Sequence, residues 1–470
     1  MSVSLPDFDT DMREALGERG WITSRDDIAR HSRDWLDRFG AQPLGVARPE
    51  STAQVAEVVR ICVAHGVVIS PQGGNTGLAG GAVLASGDRG IIMWLGRMNR
   101  IVSIDPIDFT ARVEAGVVLQ TLHDALAEQD LIFPLHLGSE GSAQIGGLVG
   151  TNAGGSHAMR FGMMQDLVLG LEVVLPDGTV WDGARALIKD NAGYQLRRLF
   201  CGAEGTLGIV TGAVLRLYPA PIARATALLA VSDLNAAQSV GALLRSRTGE
   251  FLTAMEFFGE VGLGLAMKHV DGLSFPLAAP APTYVLAELT TSVPGINLDD
   301  MLQNALAEGF ESGFVLDGAI AANEAQRAAF WRLREEMPEG QRLEGPQIKH
   351  DVAVPVAKLA AFVTSASAAA DAVMPGVRIN PFGHLGDGNV HFNLTPPEGC
   401  GDFMGKQADL SRAIYDAAVA NDGTISAEHG LGQSKVALAD QYRSDVERAL
   451  MRRIKAAVDP QAIMNPGKII

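Results

Sequence analysis

The chain has 470 residues, of which 47% are hydrophobic and 20% charged, so it is long enough for two or three domains around sizeable cores. Its net charge is −16, which argues against a nucleic-acid-binding protein because such a protein needs a basic surface. The N-terminus lacks the basic and apolar segments of a signal peptide, and we find no run of eighteen apolar residues, so we expect no transmembrane segment.

The three cysteines lie far apart in the chain, at Cys62, Cys201 and Cys400. This spacing argues against a disulfide framework and against a zinc site built from cysteines. It is typical of a protein in a reducing compartment, and we expect a cytoplasmic location.

The N-terminal half alternates predicted helices, strands and glycine-rich loops. Ser51 and Gln54 have the spacing of a capping box, and the apolar residues that follow recur at helical spacing. Residues 67–69 predict a short buried strand, and the glycine-rich residues 71–81 follow it directly. Further along, the pattern predicts a helix at 119–129, a hairpin of 168–175 with 180–181, and a strand at 209–217.

The composition changes near residue 220, where two prolines follow the last glycine-rich segment. We therefore expect one domain over residues 1–220 and a second over residues 221–470. In the second domain, the pattern predicts helices at 355–373, 405–421 and 442–457.

Glycine is in excess, at 53 of 470 residues, and 17 of the 53 fall in the windows 73–81, 138–162 and 202–212. Clustered glycines let several backbone N–H groups approach one anion, because no Cβ stands in the way. A diphosphate is the expected ligand. Residues 73–81 lack the GxGxxG fingerprint, and the P-loop pattern is absent as well, so neither familiar nucleotide-binding fold is expected. A set of tight turns is the alternative interpretation.

Four segments together form a recognisable pattern, namely residues 71–81, 134–139, 146–155 and 202–210. Their order and spacing resemble the FAD-binding domain of the vanillyl-alcohol oxidase flavoprotein family. The resemblance implies an α+β domain of two subdomains, with the FAD diphosphate on residues 73–77 and the isoalloxazine ring near residues 136–155. The cofactor residues that it implies are Pro71, Gln72, Gly73, Gly74, Asn75, Thr76, Gly77, Leu78, Pro134, Gly138, Ser139, Gly146, Gly147, Gly150, Thr151, Asn152, Gly154, Gly155, Gly205, Gly208, Ile209 and Val210. Residues 71–81 contain no His or Cys, so we expect FAD to bind without a covalent bond.

Three of the ten histidines lie in two glycine-flanked segments, residues 380–394 and 425–432. If the stretch after the Asp-Gly turn is a strand, His391 and Asn393 share one face, and His384 can face the same space from across the turn. With Glu428, the two histidines form a ligand set for a divalent metal that leaves a position open. Core histidines satisfied by hydrogen bonds are the alternative.

Both segments resemble the C-terminal half of the FAD-linked D-2-hydroxyacid dehydrogenases, the group that contains D-2-hydroxyglutarate and D-lactate dehydrogenases. The resemblance implies that His384, His391 and Glu428 bind a metal, with zinc as the expected ion. It assigns the catalytic base to His429 and a substrate contact to Asn393. It also implies an α+β substrate domain whose antiparallel sheet is covered by helices.

The chemistry of 2-hydroxy acid oxidation is consistent with these parts. The reaction removes a proton from the hydroxyl and a hydride from the carbon that carries it. A divalent ion stabilises the alkoxide, a neutral histidine can accept the proton, and a flavin accepts the hydride.

A substrate carboxylate needs cations, and Arg334 and Lys349 match substrate-binding positions of D-2-hydroxyglutarate dehydrogenases. A solvated helix face is the alternative for Arg334, because Glu335 and Glu336 follow it. Pro338 stands where those relatives often carry Thr, which argues against a dicarboxylate substrate, whereas Lys349 argues for one.

The C-terminal residues match a family segment that returns to the flavin. The resemblance implies that Asn465 and Lys468 contact the cofactor, where a lysine could stabilise reduced, anionic flavin. An exposed lysine in a free tail is the alternative.

The sequence therefore predicts an enzyme that uses FAD and a divalent metal to oxidise D-2-hydroxyglutarate to 2-oxoglutarate. D-lactate or another D-2-hydroxy acid is the next candidate substrate. A flavin oxidase that transfers electrons from a sugar or alcohol to oxygen, and a non-enzymatic FAD-domain protein, are alternatives. The expected electron acceptor is an electron-transferring flavoprotein, a quinone or a cytochrome. No nucleic-acid partner is expected, and a homodimer is compatible with the sequence.

Overall fold

The computed structural model describes residues 5–470, which form two compact units. The first unit contains the residues up to Gly155, Phe161–Ala220 and Glu428–Ile470, and the second contains Ser156–Arg160 and Pro221–Ala427. The chain thus enters the main part of the second unit just after residue 220. The residues from Glu428 onward belong to the first unit, although the sequence placed them in the second domain.

The α-helices of the described residues are α1 (Leu5–Leu16), α2 (Arg25–Ser32), α3 (Thr52–His65), α4 (Leu119–Ala127), α5 (Ile145–Thr151), α6 (Ala158–Phe161), α7 (Met164–Leu167), α8 (Arg197–Phe200), α9 (Leu234–Thr248), α10 (Glu260–His269), α11 (Leu298–Glu311), α12 (Glu324–Glu335), α13 (Met337–Glu344), α14 (Leu359–Val373), α15 (Gln407–Ala420), α16 (Val436–Tyr442) and α17 (Asp445–Val458). Two short 3-10 turns lie at Gly249–Phe251 and Val356–Lys358.

The strands are β1 (Trp21–Ile22), β2 (Val46–Ala47), β3 (Val68–Gln72), β4 (Gly90–Trp94), β5 (Ile101–Asp105), β6 (Thr110–Glu114), β7 (Leu131–Ile132), β8 (Val168–Val174), β9 (Val180–Gly183), β10 (Ile209–Arg216), β11 (Tyr218–Pro219), β12 (Ala223–Val231), β13 (Leu252–Gly259), β14 (Thr283–Thr291), β15 (Asp317–Ile320), β16 (Asp351–Ala353), β17 (Arg378–His384) and β18 (Asn389–Thr395).

The first unit contains two larger sheets, in agreement with the predicted two subdomains. One has the order β1-β2-β4-β3, with β3, β4 and β2 parallel, and it shares a core with α1 and α3. The other has the order β5-β6-β10-β8-β9, with antiparallel neighbours, and it packs against α4 and α5. The predicted hairpin is present as β8 and β9, which pair antiparallel.

The second unit is built on one seven-stranded sheet with the order β15-β12-β14-β13-β17-β18-β16, in which neighbouring strands are antiparallel. Helices α10, α12 and α13 pack on one face through a core that includes Phe258, Tyr284 and Phe330. Each fully buried side chain of this kind contributes about 1.5–3 kcal/mol. The predicted helix-covered antiparallel sheet is confirmed.

Local signals explain where several helices begin and end. Helix α3 begins after Ser51, whose Oγ accepts from the N–H of Gln54 at 3.3 Å, and ends at Gly66, which has a φ of +60°. The predicted helix at 442–457 instead starts at Asp445, because Ser444 and Glu447 form a capping box.

The segment Val356–Val373 is long and apolar enough to cross a membrane by length and composition alone. In the structure it consists of a 3-10 turn and α14, which packs against α9 and α15 and buries Leu359, Phe362 and Ala366 along one face. A single segment of this length and composition is weak evidence for a membrane span.

Candidate active site

Two neighbouring strands of the second unit place the predicted histidines and Asn393 on one face of the sheet. Strands β17 and β18 pair so that Phe382 lies opposite His391 and Asn380 opposite Asn393. Opposite residues of an antiparallel pair project to the same face. The rings of His384 and His391 are 5.9 Å apart, so the two strands bring the predicted histidines together.

Glu256, on the adjacent strand β13, connects two of the predicted residues. It lies opposite His384 in the sheet, and its side chain is 1% exposed. Its Oε1 bonds to Nδ1 of His384 at 2.6 Å, and its Oε2 accepts from Nε of Arg334 at 3.0 Å. Burial alone would raise the pKa of Glu256, but the charges of His384 and Arg334 outweigh burial and hold that pKa below its usual value. Glu256 therefore stays a carboxylate that orients both partners.

The bond from Glu256 also determines the tautomer of His384. A carboxylate only accepts hydrogen bonds, so Nδ1 of His384 carries a hydrogen, and in the neutral ring Nε2 is the nitrogen that has the lone pair. Histidines that bind metals usually donate their other ring N–H to a carboxylate or a carbonyl in this way.

Arg334 points toward the sheet because it shares the buried face of α12 with Phe330 and Leu333. Its guanidinium lies over the ring of Phe382, with Cζ 4.7 Å from the centroid, and the residue is 8% exposed. The interpretation of Arg334 as part of a solvated helix face is therefore wrong. Glu256 engages only Nε, and the two terminal nitrogens have no hydrogen-bond partner among the described residues. That free fork suits a carboxylate.

The chain leading to Glu428 runs beside β16. The N–H of Ala427 donates to the carbonyl of Asp351 at 3.3 Å, and Asp351 lies opposite His391. Glu428, the next residue, brings a carboxylate oxygen to the histidines: one ligand atom from each of His384, His391 and Glu428 lies within 4.8 Å of the other two. These donors suit a divalent metal that keeps an open position. The predicted base, His429, follows directly and is part-buried.

Asn393 is fixed by a short chain of amide bonds. Its Nδ2 donates to Oε1 of Gln341 at 2.9 Å, and Nε2 of Gln341 donates to Oγ1 of Thr395 at 2.9 Å. Gln341 lies on α13, and Pro338 occupies the first turn of that helix, where proline is well tolerated. Pro338, which stands where the relatives often carry Thr, thus lies in the first turn of the helix whose Gln341 positions Asn393.

Lys349 lies at the edge of the same sheet. The residues before and after Lys349 both pair with β18. Ile348 lies opposite Leu394, and Asp351, the first residue of β16, lies opposite His391. This register places Lys349 opposite Asn393, so its exposed side chain shares the face of the histidines. Lys349 and Arg334 both lie on this face of the second unit.

Sequence reasoning missed Glu256 and Gln341. A single acid inside an otherwise apolar strand is a signal that could have found Glu256. The same signal also marks Glu288 on β14, which bonds to Trp331 at 2.9 Å and to Arg327 at 3.2 Å. The pattern therefore identifies a buried, paired acid but not which pair lies at the site.

In the first unit, the glycine-rich segments pack directly against one another. A Cβ added at Gly74 would lie 2.0 Å from the carbonyl oxygen of Ser142, and one at Gly205 would lie 2.8 Å from Cγ of Pro71. Contacts this close exclude larger residues at both positions, so these two glycines let three separate segments converge.

Other glycines of these segments face open space. A Cβ added at Gly77, Gly138 or Gly147 would meet nothing within 4 Å. The converging loops therefore leave room along their backbone, as a bound dinucleotide requires.

The side chains of Gln72 and Asn465 bond within the protein. Nε2 of Gln72 donates to two backbone carbonyls, at 3.0 Å each. Nδ2 of Asn465 donates to the carbonyls of Gly81 and Glu204, at 2.9 and 2.6 Å. These amides hold the loops in shape, so their side-chain donors are already used by the protein.

Lys468 is buried in the first unit, at 1% exposure, and its Nζ has no hydrogen-bond partner among the described residues. The C-terminal segment reaches this position because the N–H of Asn465 donates to the carbonyl of Ile69 on β3. Burial lowers the pKa of Lys468 to about 8, although Asp88 and Glu204 act in the opposite direction. The interpretation as an exposed tail lysine is wrong.

Family models match both parts of the chain. The model described as "FAD binding domain" matches residues 43–183, and that described as "FAD linked oxidases, C-terminal domain" matches residues 220–469, more than half of the chain. The chain belongs to the FAD-linked oxidase family. FAD is therefore the cofactor of this oxidoreductase, as the resemblance of the four glycine-rich segments implied.

Curated relatives of this FAD-linked oxidase match over nearly its whole length. The D-2-hydroxyglutarate dehydrogenase of Xanthomonas citri pv. viticola is 37% identical, and the match covers 94% of this chain and 92% of the relative. The enzyme of the same name from Stutzerimonas stutzeri is 35% identical, with 95% of each chain covered. The D-2-hydroxyglutarate–pyruvate transhydrogenase of Saccharomyces cerevisiae is 34% identical, with 95% of this chain and 90% of the relative covered.

Solved structures show the same fold. A p-cresol methylhydroxylase with bound substrate has a TM-score of 0.71 at 19% identity, and the match covers 99% of this chain and 96% of that one. The 4-ethylphenol oxidase of Gulosibacter chungangensis has a TM-score of 0.74 at 19% identity, with 99% and 98% covered. The predicted fold class is confirmed.

We predict that Lys468 contacts the FAD of this oxidase, as the resemblance implied, because an unpaired buried ammonium needs an anionic partner and FAD is an anion. Lys468→Met is expected to weaken FAD binding about tenfold or more, by loss of a charge-assisted bond. Without FAD, the pKa of about 8 lies below the ordinary 10.5, so the ammonium loses its proton as the pH rises above about 8. Wild-type FAD affinity should therefore fall above that pH.

Titration of FAD into the apoprotein from neutral to alkaline pH measures this effect. Lys468→Arg, which keeps its charge, should bind FAD more tightly than Lys468→Met and should not lose affinity in this range. A methionine variant with wild-type affinity at neutral pH would show that Lys468 does not face the cofactor.

Proposed function

We propose that this FAD-linked oxidase converts D-2-hydroxyglutarate to 2-oxoglutarate with the help of a divalent metal. The observation that carries the proposal is the pair of bonds from Glu256, which hold Arg334 beside the ligand set that contains His384. This arrangement brings a carboxylate-binding group to the place where an α-hydroxyl would be activated. The names of the relatives from Xanthomonas and Stutzerimonas support the choice of substrate.

Two cations on one face favour a substrate with two carboxylates. The free fork of Arg334 can bind one carboxylate with two parallel bonds, and the ammonium of Lys349 can attract a second. Asn393, fixed by Gln341, would contribute a polar contact between them. D-2-hydroxyglutarate has both carboxylates, whereas D-lactate has one.

The residues that would hold the metal are His384, His391 and Glu428. Two imidazoles and one carboxylate suit zinc best. When bound, such an ion stabilises the negative charge of a deprotonated α-hydroxyl. Glu256 supports it by fixing a hydrogen on Nδ1 of His384, which makes Nε2 the nitrogen that would bind the ion.

We assign the proton transfer to His429, which follows the ligand Glu428 in the chain. A neutral imidazole accepts the hydroxyl proton, while Arg334 holds the carboxylate and limits the motion of the reacting carbon. When bound, FAD accepts the hydride from that carbon.

Anaerobic mixing of the FAD-loaded enzyme with a panel of 2-hydroxy acids tests the substrate. D-2-hydroxyglutarate should bleach the flavin fastest, and D-lactate at least about tenfold more slowly, because D-lactate lacks the second carboxylate. The L-isomers should leave the flavin oxidised, because the opposite configuration exchanges the positions of the hydroxyl and the hydrogen on the reacting carbon. Faster bleaching by D-lactate would contradict the proposal.

D-lactate is the second candidate, and Pro338 favours it because that position offers no hydroxyl to a distal carboxylate. Lys349→Met separates the two substrates. If Lys349 binds the distal carboxylate, this variant should impair the oxidation of D-2-hydroxyglutarate and leave the oxidation of D-lactate nearly unchanged. Stoichiometric release of hydrogen peroxide in air would instead favour a flavin oxidase.

A further inference from the structure

We propose that the first unit carries a second divalent-metal site, formed by His123, His136 and Glu140 and suited to zinc or a similar borderline ion. One ligand atom from each of these residues lies within 4.8 Å of the other two. All three belong to the first unit, and none belongs to the set of His384, His391 and Glu428. The proposal therefore goes beyond the proposed function and does not depend on it.

The distances among the donors match those of a small tetrahedral site. Oε2 of Glu140 lies 3.2 Å from Nδ1 of His136 and 3.6 Å from Nδ1 of His123. In a tetrahedral zinc site with bonds of about 2.0–2.2 Å, neighbouring ligand atoms are about 3.3–3.6 Å apart. The carboxylate oxygen thus lies at the spacing of a zinc ligand from each of the two ring nitrogens.

A backbone bond prepares His123 as a ligand. Its Nε2 lies 3.1 Å from the carbonyl oxygen of Phe133, and a carbonyl only accepts, so Nε2 carries the hydrogen. In the neutral ring, Nδ1, the nitrogen that faces Glu140, therefore keeps the lone pair that a metal would bind.

The cluster is accessible enough to exchange an ion with solvent. The side chain of His123 is 14% exposed, that of Glu140 is 32% exposed and that of His136 is 43% exposed. Three protein donors on one side and solvent on the other leave a fourth position for water.

The position of the cluster indicates what the ion would do. His123 lies on α4, whereas His136 and Glu140 lie in the chain between β7 and α5, at the start of the glycine-rich window 138–162. An ion bound by all three would cross-link this chain to α4. Occupancy should therefore raise the melting temperature of the holoenzyme and slow its loss of FAD.

A hydrogen-bonded cluster without metal is the competing explanation. Glu140 would then simply pair with the two imidazoles, as the 3.2 Å contact to His136 also allows. The two explanations differ in whether removing one histidine changes the number of zinc ions that the protein retains.

The test counts zinc per chain in the FAD-loaded, full-length protein after chelation, reloading with zinc and desalting. His123→Gln and Glu140→Gln should each retain one zinc fewer than wild type and lose the zinc-dependent rise in melting temperature. Glu140→Gln provides a milder change at a partly exposed side chain if the histidine variant folds poorly. His65→Gln is the matched control: His65 also pairs with a carboxylate, that of Asp11 at 2.7 Å, but belongs to no metal-binding group among the described residues.

The counts also separate this proposal from the proposed function. Loss of one zinc in His123→Gln but none in His391→Gln would support the second site and would contradict the proposed metal site of His384, His391 and Glu428. Loss in His391→Gln but none in His123→Gln or Glu140→Gln would overturn the second site alone. Retention of the wild-type number in both His123→Gln and Glu140→Gln would overturn it in every case.

Discussion

Glu256→Gln is expected to lower kcat/KM for D-2-hydroxyglutarate at least about a hundredfold, because it removes the carboxylate that holds both His384 and Arg334. A glutamine amide has one accepting oxygen, so it can satisfy only one of these two donors. Its NH₂ group would face the other donor. Metal affinity should fall about 10- to 100-fold, as expected when a carboxylate behind a metal ligand is lost. KM should rise as well, since the fork of Arg334 is no longer oriented.

Glu288→Gln is the matched control for this variant. Glu288 is 3% exposed on the next strand of the same sheet, where it bonds to Arg327 and Trp331 instead of to site residues. Both variants should lose stability, because each weakens the hydrogen bonds of a side chain buried in the sheet, although Arg327 keeps Glu324 as a second partner. Only Glu256→Gln should lose metal and turnover. Equal losses in the two variants would mean that Glu256 acts through the stability of the sheet alone.

His429→Asn is expected to lower kcat by about 10²–10⁴-fold with little change in KM. Asparagine keeps a polar side chain of similar size but cannot accept the hydroxyl proton, so binding should persist while the chemical step slows. Stopped-flow measurement of flavin reduction at increasing substrate concentration separates these two effects.

His269→Asn serves as the control for His429→Asn. His269 is another part-buried histidine, bonded to Glu344 at 2.6 Å on a different part of the second unit. Its replacement should leave flavin reduction near the wild-type rate. If His429→Asn also reduces its flavin at the wild-type rate, another group must accept the proton.

The parts of the structure that were predicted well follow from local sequence patterns. Alternation placed His391 and Asn393 on one face, and the cap at Ser51 placed α3, because each depends on neighbours within a few residues. The glycine-rich segments predicted a phosphate-binding region for a similar reason. A glycine such as Gly74 or Gly205 indicates that another segment packs closely against the backbone, even when that segment cannot be identified from the sequence.

The contacts that organise the site were not predictable from spacing. His384 and Glu256 are 128 residues apart, and Arg334 reaches Glu256 from a helix 78 residues away. Their meeting depends on the order of strands in the sheet, which no local pattern specifies. The resemblance to a family supplied Arg334 and Lys349 as candidates, but only the structure shows the carboxylate that orients Arg334.

The most direct test of the account is anaerobic flavin reduction by D-2-hydroxyglutarate in enzyme that keeps FAD but has been stripped of divalent metal. We expect the flavin to stay oxidised until zinc is added and then to bleach at the wild-type rate, with no recovery in His391→Gln. Reduction of the metal-free enzyme at the wild-type rate would contradict the central claim that an ion on His384, His391 and Glu428 activates the α-hydroxyl.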